Sequence, residues 1–98
     1  MSCDHDATAN KLAKKYGTKH RHKGVDIVAR NMAIEVACSI SDVYQSLGQL
    51  KRSRARKKYM AVPRSLVQFT KGYLKDTGIG VMTPSGKIRK RSRRRKRR

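Results

Sequence analysis

The chain has little acid, few aromatics and no long apolar run. Six Asp and Glu stand against 26 Lys and Arg in 98 residues, a formal net charge of +20 with neutral His. A surface of that sign repels itself unless a polyanion neutralises it, and it favours nucleic acid through counterion release and steering. No stretch couples the charge to a strongly apolar helix face, which argues against an anionic membrane as partner. No apolar run approaches the length of a bilayer span. The two cysteines, Cys3 and Cys38, are too few and too unlike in setting for a disulfide framework. The expected setting is therefore intracellular and reducing, cytoplasm or nucleoid. The polar, acidic start MSCDHDA does not read as a secretory signal. Tryptophan is absent, and the aromatics are Tyr16, Tyr44, Tyr59, Phe69 and Tyr73. Most fall on apolar faces, so they are expected in the core rather than against bases.

The most informative stretch is Gly24 to Cys38, GVDIVARNMAIEVAC. Two apolar runs flank Arg30–Asn31, which reads as a β-hairpin. With those two residues as the turn, 29 opposes 32, 27 opposes 34, and Asp26 opposes Glu35. Opposed residues share a face, with Cβ atoms about 5 Å apart. Glu35 is the only Glu of the chain and Asp26 one of five Asp. The rest of their face is small: Gly24, Val28, Ala33 and Ala37. The other face carries Ile27, Ile34, Val36 and Cys38, which reads as core. Two carboxylates so close repel unless a cation or a shared proton lies between them. Two readings follow: a Mg²⁺ or Mn²⁺ site of oxygen ligands from two strands, or two exposed carboxylates paired with nearby Lys or Arg.

Around the hairpin the pattern is one α/β domain over residues 1–88, with a basic, disordered tail at 89–98. Asp4–Tyr16 reads as a helix with the stripe Ala9, Leu12, Ala13, Tyr16, capped by Asp4 or Asp6 and ended by Gly17. Ser39 with Asp42 caps a helix from Ile40 to about Arg54, with the stripe Ile40, Val43, Leu47, Leu50. Lys58–Val62 reads as a buried strand stopped by Pro63. A third helix follows at Arg64–Lys75, with Leu66, Phe69 and Tyr73 on its apolar side and Val67 and Leu74 close by. A strand at Ile79–Met82 and a turn at Thr83–Gly86 lead back through Lys87–Ile88. The order α-β-β-α-β-α-β, with a short last strand, describes a small mixed sheet flanked by helices.

A helix, then GVDIV, a short turn, AIEVA, a helix carrying GQLKR and the strand KKYMAVP together resemble the PD-(D/E)XK nuclease superfamily. That group includes restriction enzymes, archaeal Holliday-junction resolvases and short archaeal nuclease-like proteins. The resemblance covers about Asp6 to Ile88. It implies a restriction-endonuclease-like fold and a Mg²⁺- or Mn²⁺-dependent deoxyribonuclease. Asp26 matches the first metal-binding carboxylate, Glu35 the second, and Gln49 a helical Gln beside the site in some members. Asp6, then Asp4, matches the acid that the upstream helix often supplies, although Asp6 also fits a plain helix cap. The triplet here is Glu35–Val36–Ala37, so the family's Lys is missing, and Val25 stands where the usual Pro precedes the first Asp. Lys51 or Arg52 on the following helix is the candidate replacement. Lys23 is a poorer one, because it falls on the core side. Without a replacement, either the metal alone supports slow hydrolysis or the chain binds DNA without cutting it.

The phosphate contacts are expected from His20, Arg21, His22 and Lys23 in the first loop, from Lys51, Arg52, Arg54, Arg56 and Lys57, and from Arg89, Lys90, Arg91, Arg93 and Arg94. Such contacts position a protein on DNA without reading sequence. A targeting or solubility role fits the tail equally. Cys3, His5, His20, His22 and Cys38 do not match a zinc-ligand spacing. His5 would assist proton transfer, but nothing in the sequence positions it. Three functions compete: a metal-dependent DNA nuclease, a non-catalytic DNA-binding or architectural protein on the same fold, and a ribosome-associated RNA-binding protein. Small members of the family often pair as dimers, for which Tyr73 and Leu74 are candidate contacts.

Overall fold

In the computed structural model, which describes residues 4–18, 26–29 and 31–93, three helices flank a five-stranded mixed sheet. Helix α1 (His5–Lys15) precedes strands β1 (Ile27–Ala29) and β2 (Met32–Val36). Helix α2 (Ile40–Arg52) and strand β3 (Lys57–Ala61) follow. A 3₁₀ turn at Arg64–Leu66 leads into helix α3 (Val67–Tyr73), and β4 (Gly80–Met82) and β5 (Ile88–Lys90) close the sheet. The strands lie in chain order; β2, β3 and β4 are parallel, and the outer strands β1 and β5 are antiparallel to their neighbours. The two parallel crossovers place α2 and α3 on one face, and α1 covers the other.

Local chemistry sets the boundaries. The Asp4 carboxylate accepts the Ala7 N–H and starts α1. Ser39 Oγ accepts the Asp42 N–H, and Asp42 reaches back to accept the Cys38 N–H, so α2 starts inside a reciprocal cap. Under α2 and α3 lie Ala33, Ala37, Val43, Leu50, Met60, Val62, Val67, Leu74, Ile79 and Val81. Under α1 lie Ala9, Leu12 and Ala13 against Ile27, Ile34, Val36, Tyr59, Ala61 and Met82. Burying each large side chain contributes roughly 1.5–3 kcal/mol.

Four expectations need correction. The buried side of α3 is Val67, Thr70 and Leu74, whereas Phe69 and Tyr73 face solvent. Ile40 and Tyr44 of α2 are likewise exposed. The sheet runs past the boundary expected at residue 88: Ser92 Oγ accepts the Lys58 N–H and Arg93 N–H donates to Gly78 O, so residues 89–93 are part of the fold. Cys38 is disulfide-bonded, contrary to the expectation of separate thiols; Cys3, the other cysteine, lies outside the described residues. No described helix is long and apolar enough to cross a membrane.

The last strand docks closely because glycine lies beneath it. A Cβ on Gly80 would collide with the Tyr59 ring and stand 2.6 Å from Lys90 O and Ser92 N. Gly78, at φ 77°, leaves room for Arg93 O in the same way. Gly80→Ala should therefore push β5 off the sheet and cost on the order of 1–3 kcal/mol. Thermal unfolding reads this as a Tm lowered by about 4–8 °C per kcal/mol; an unchanged Tm would contradict the close docking.

Candidate functional site

The hairpin register is the expected one: Ile27 pairs with Ile34, Val28 with Ala33 and Ala29 with Met32. One step beyond, Asp26 and Glu35 meet, and both are buried, 8% and 5% exposed. Two exposed carboxylates are thereby excluded. Their site is the rim where α1 and β1 begin and β2 ends. Asp26 Oδ2 accepts the Val36 N–H at 2.9 Å. The same oxygen lies 3.0 Å from Nε2 of His5, the first residue of α1, whose Nδ1 is 3.4 Å from Asp6. His5 is thus positioned after all, by the cap that starts α1 at Asp4.

Glu35 shares a hydrogen bond with the Asp26 side chain and accepts the Asp26 backbone N–H. Burial pushes its pKa up first, and the hydrogen bond and charge of Asp26 add to that; the backbone N–H opposes them, and the result is about 9. At neutral pH Glu35 therefore keeps its proton, the second of the two ways to relieve such repulsion. For His5, burial disfavours the charged ring, but the Asp26 charge and the hydrogen bonds to Asp6 and Asp26 outweigh it, so its pKa is raised.

Ala37, at the missing Lys position, is fully buried beneath α2. No described Lys or Arg forms a salt bridge with Glu35. Among the described residues no third Asp, Glu, His or Cys completes a metal-ligand group with the pair. Gln49 is half-buried on α2. Lys51, the candidate replacement, lines a cleft at the other end of the strands.

That cleft, about 920 Å³, lies where α2 and α3 end, β3 and β4 begin and β5 finishes. Its cations are Lys51, Arg54, Arg56, Lys58, Lys75 and Arg93, against one acid, Asp76. The cations also complement the negative ends of two helices, which by itself accounts for part of their placement. Six on one concave surface exceed that need and make it strongly electropositive. Arg52 turns its guanidinium back towards Gly48, Lys57 is exposed beside the cleft, and Arg89 and Arg91 are exposed at the β5 edge. Lys90 points inward: its Nζ donates to Ile79 O at 2.6 Å, and burial, then Arg93, lower its pKa against the pull of Asp76. It braces β4 and β5 rather than facing a ligand. His20, Arg21, His22, Lys23 and Arg94 lie outside the described residues. Sequence reasoning missed Lys75, because only the parallel pairing of β3 with β4 brings the end of α3 beside the end of α2.

Comparison of the chain with protein-family models, curated proteins and solved structures finds no match.

The buried pair makes stability depend on pH. Between 4.5, the ordinary value, and about 9 the folded chain keeps a Glu35 proton that the unfolded chain has released. Stability therefore falls as pH rises across that window, and the raised His5 pKa acts in the same direction. Glu35→Gln cannot lose a proton, so it should melt within a few degrees of the parent at pH 5. At pH 8 it should melt higher, by about 5 °C or more for each kcal/mol removed. Parallel melting curves for the two proteins from pH 5 to 9 would contradict the retained proton.

Proposed function

We propose that this chain is a DNA-binding protein on a PD-(D/E)XK-type scaffold that grips phosphates in its basic cleft and holds Mg²⁺ or Mn²⁺ at Asp26 and Glu35. The observation that carries the reading is the opposition of those two buried carboxylates across β1 and β2, inside the element order the resemblance implies. Their hard oxygens suit either ion chemically. A bound ion would replace the Glu35 proton as the charge between them, and it would polarise a phosphate and lower the pKa of a water. Asp26 and Glu35 would hold the ion, and His5 orients Asp26 through its 3.0 Å contact; Gln49, in the last turn of α2, lies towards the opposite rim and takes no part there. Lys51 and its neighbours hold the backbone.

A second reading, a protein that binds DNA without cutting it, is favoured by specific observations. Ala37 is packed in the core, so no Lys acts from that position. Asp26 Oδ2 already serves the Val36 N–H and His5. The cleft and its six cations lie at the opposite end of the strands from the carboxylates. RNA binding draws on the same charge, and preference for folded RNA over every DNA form would favour it.

Two measurements test the reading. Saturating Mn²⁺ at 100 times its Kd should stabilise the parent by about 2.7 kcal/mol, and Asp26→Asn with Glu35→Gln should abolish the shift. Plasmid, junction and single-stranded DNA incubated with Mg²⁺ or Mn²⁺ then separate the outcomes. Cleavage lost in either carboxylate variant supports an enzyme; tight binding without cleavage supports the second reading. Affinity should fall steeply with salt, and Lys51→Glu with Arg54→Glu should reduce the log–log slope by about two, one for each phosphate no longer gripped. An unreduced slope would remove the cleft as the phosphate grip.

A further inference from the structure

Three of the five aromatics are used on one exposed surface. Tyr44 of α2 and Phe69 and Tyr73 of α3 are 50%, 37% and 40% exposed. Their rings nevertheless order one another. Phe69 and Tyr73 lie nearly parallel, 7° apart with centroids at 6.0 Å, and Tyr44 meets Tyr73 edge-on at 5.0 Å. Helix geometry explains the shelf: Phe69 and Tyr73 are i and i+4, and Tyr44 crosses to them from the neighbouring helix. Mutual packing holds the rings in fixed orientations without burying them.

The shelf is continuous with the basic cleft. Tyr73 belongs to both: it lines the cleft beside Lys51, Arg54 and Lys75 and also packs against Tyr44 and Phe69. A ligand that fits both parts carries negative charge along one edge and presents flat, unsaturated faces along the other. Duplex DNA satisfies only the first condition, because its bases are stacked on each other and show no free faces. A folded protein partner that is merely acidic satisfies only the first as well. An unpaired strand satisfies both: phosphates lie along the cations, and bases stack on exposed rings with little regard to sequence.

We infer that the cleft and the Tyr44–Phe69–Tyr73 shelf form one track for single-stranded nucleic acid, with the phosphates in the cleft and the bases on the shelf. The inference rests on the nucleic-acid-binding reading above and adds the class of strand. It does not require the carboxylate pair to bind metal or to cut.

Fluorescence anisotropy with labelled oligo-dT, an abasic sugar–phosphate strand of the same length and a duplex, all at one salt concentration, tests it. Phe69→Ala and the double variant Tyr44→Ala/Phe69→Ala are compared with the parent, and Phe69→Trp serves as the conservative control. Loss of one base–ring stack corresponds to about 5- to 150-fold in Kd. The Ala variants should lose oligo-dT affinity by at least 5-fold, bind the abasic strand and the duplex within 2-fold of the parent, and recover oligo-dT affinity with Phe69→Trp. Equal losses on all three ligands would overturn the inference, because the substitution would then act through the fold or the field. Unchanged oligo-dT affinity would overturn it too, including where sedimentation shows a dimer that the Ala variants dissociate, since the shelf would then be a contact between copies. Failure of the parent to bind any of the three ligands would overturn both the inference and the nucleic-acid reading beneath it.

Discussion

The burial of Glu35 against Asp26 is the constraint to which the rest of this small fold answers. Two carboxylates cannot both be charged when 5% and 8% exposed and in hydrogen-bond contact unless something neutralises one of them. The chain could have placed an arginine there, having many. It places a backbone N–H from Val36 and an imidazole from His5 on Asp26, and leaves Glu35 protonated. Those contacts tie the start of α1, the start of β1 and the end of β2 to one point. The tie holds α1 against the face of the sheet that it covers.

Parallel connection then separates the charges. Both α2 and α3 run from the carboxylate rim back to the opposite rim, because each links the end of one parallel strand to the start of the next. Their last turns and the residues just beyond bring Lys51, Arg54 and Lys75 together, with Lys58 and Arg93 supplied by the strands below. The sheet thus has a carboxylate rim and a strongly cationic rim. The six cations of the cleft thereby lie away from a pair whose balance they would disturb. The same division puts the cationic cleft and the carboxylate pair at different ends of the strands.

Much of this was legible in the residues themselves. Arg30–Asn31 between two apolar runs fixes the register, and a period of two then puts Asp26 opposite Glu35 without further information. Ser39 with Asp42, and Asp4 before α1, mark helix starts through side-chain chemistry that acts locally. The errors arose where burial is decided by distant partners. On α3 Leu66 packs against the core as expected, but Phe69 and Tyr73 yielded it to Val67, Thr70 and Leu74, because the angle at which Pro63 and the 3₁₀ turn deliver the helix is not encoded in hydrophobicity. Residues 89–93 read as a charged tail, yet Gly78 and Gly80 open a place for them beside β4 that only the assembled sheet reveals. The aromatic shelf was hidden for the same reason as the α3 face.

Glu35 is the only glutamate in the chain, so selective carboxyl-carbon labelling of glutamate gives one side-chain signal in a nuclear magnetic resonance titration. The account predicts that this signal stays in its protonated position through pH 7 and moves with a midpoint near 9. A midpoint close to the ordinary value of 4.5 would mean that the two carboxylates do not share a buried site.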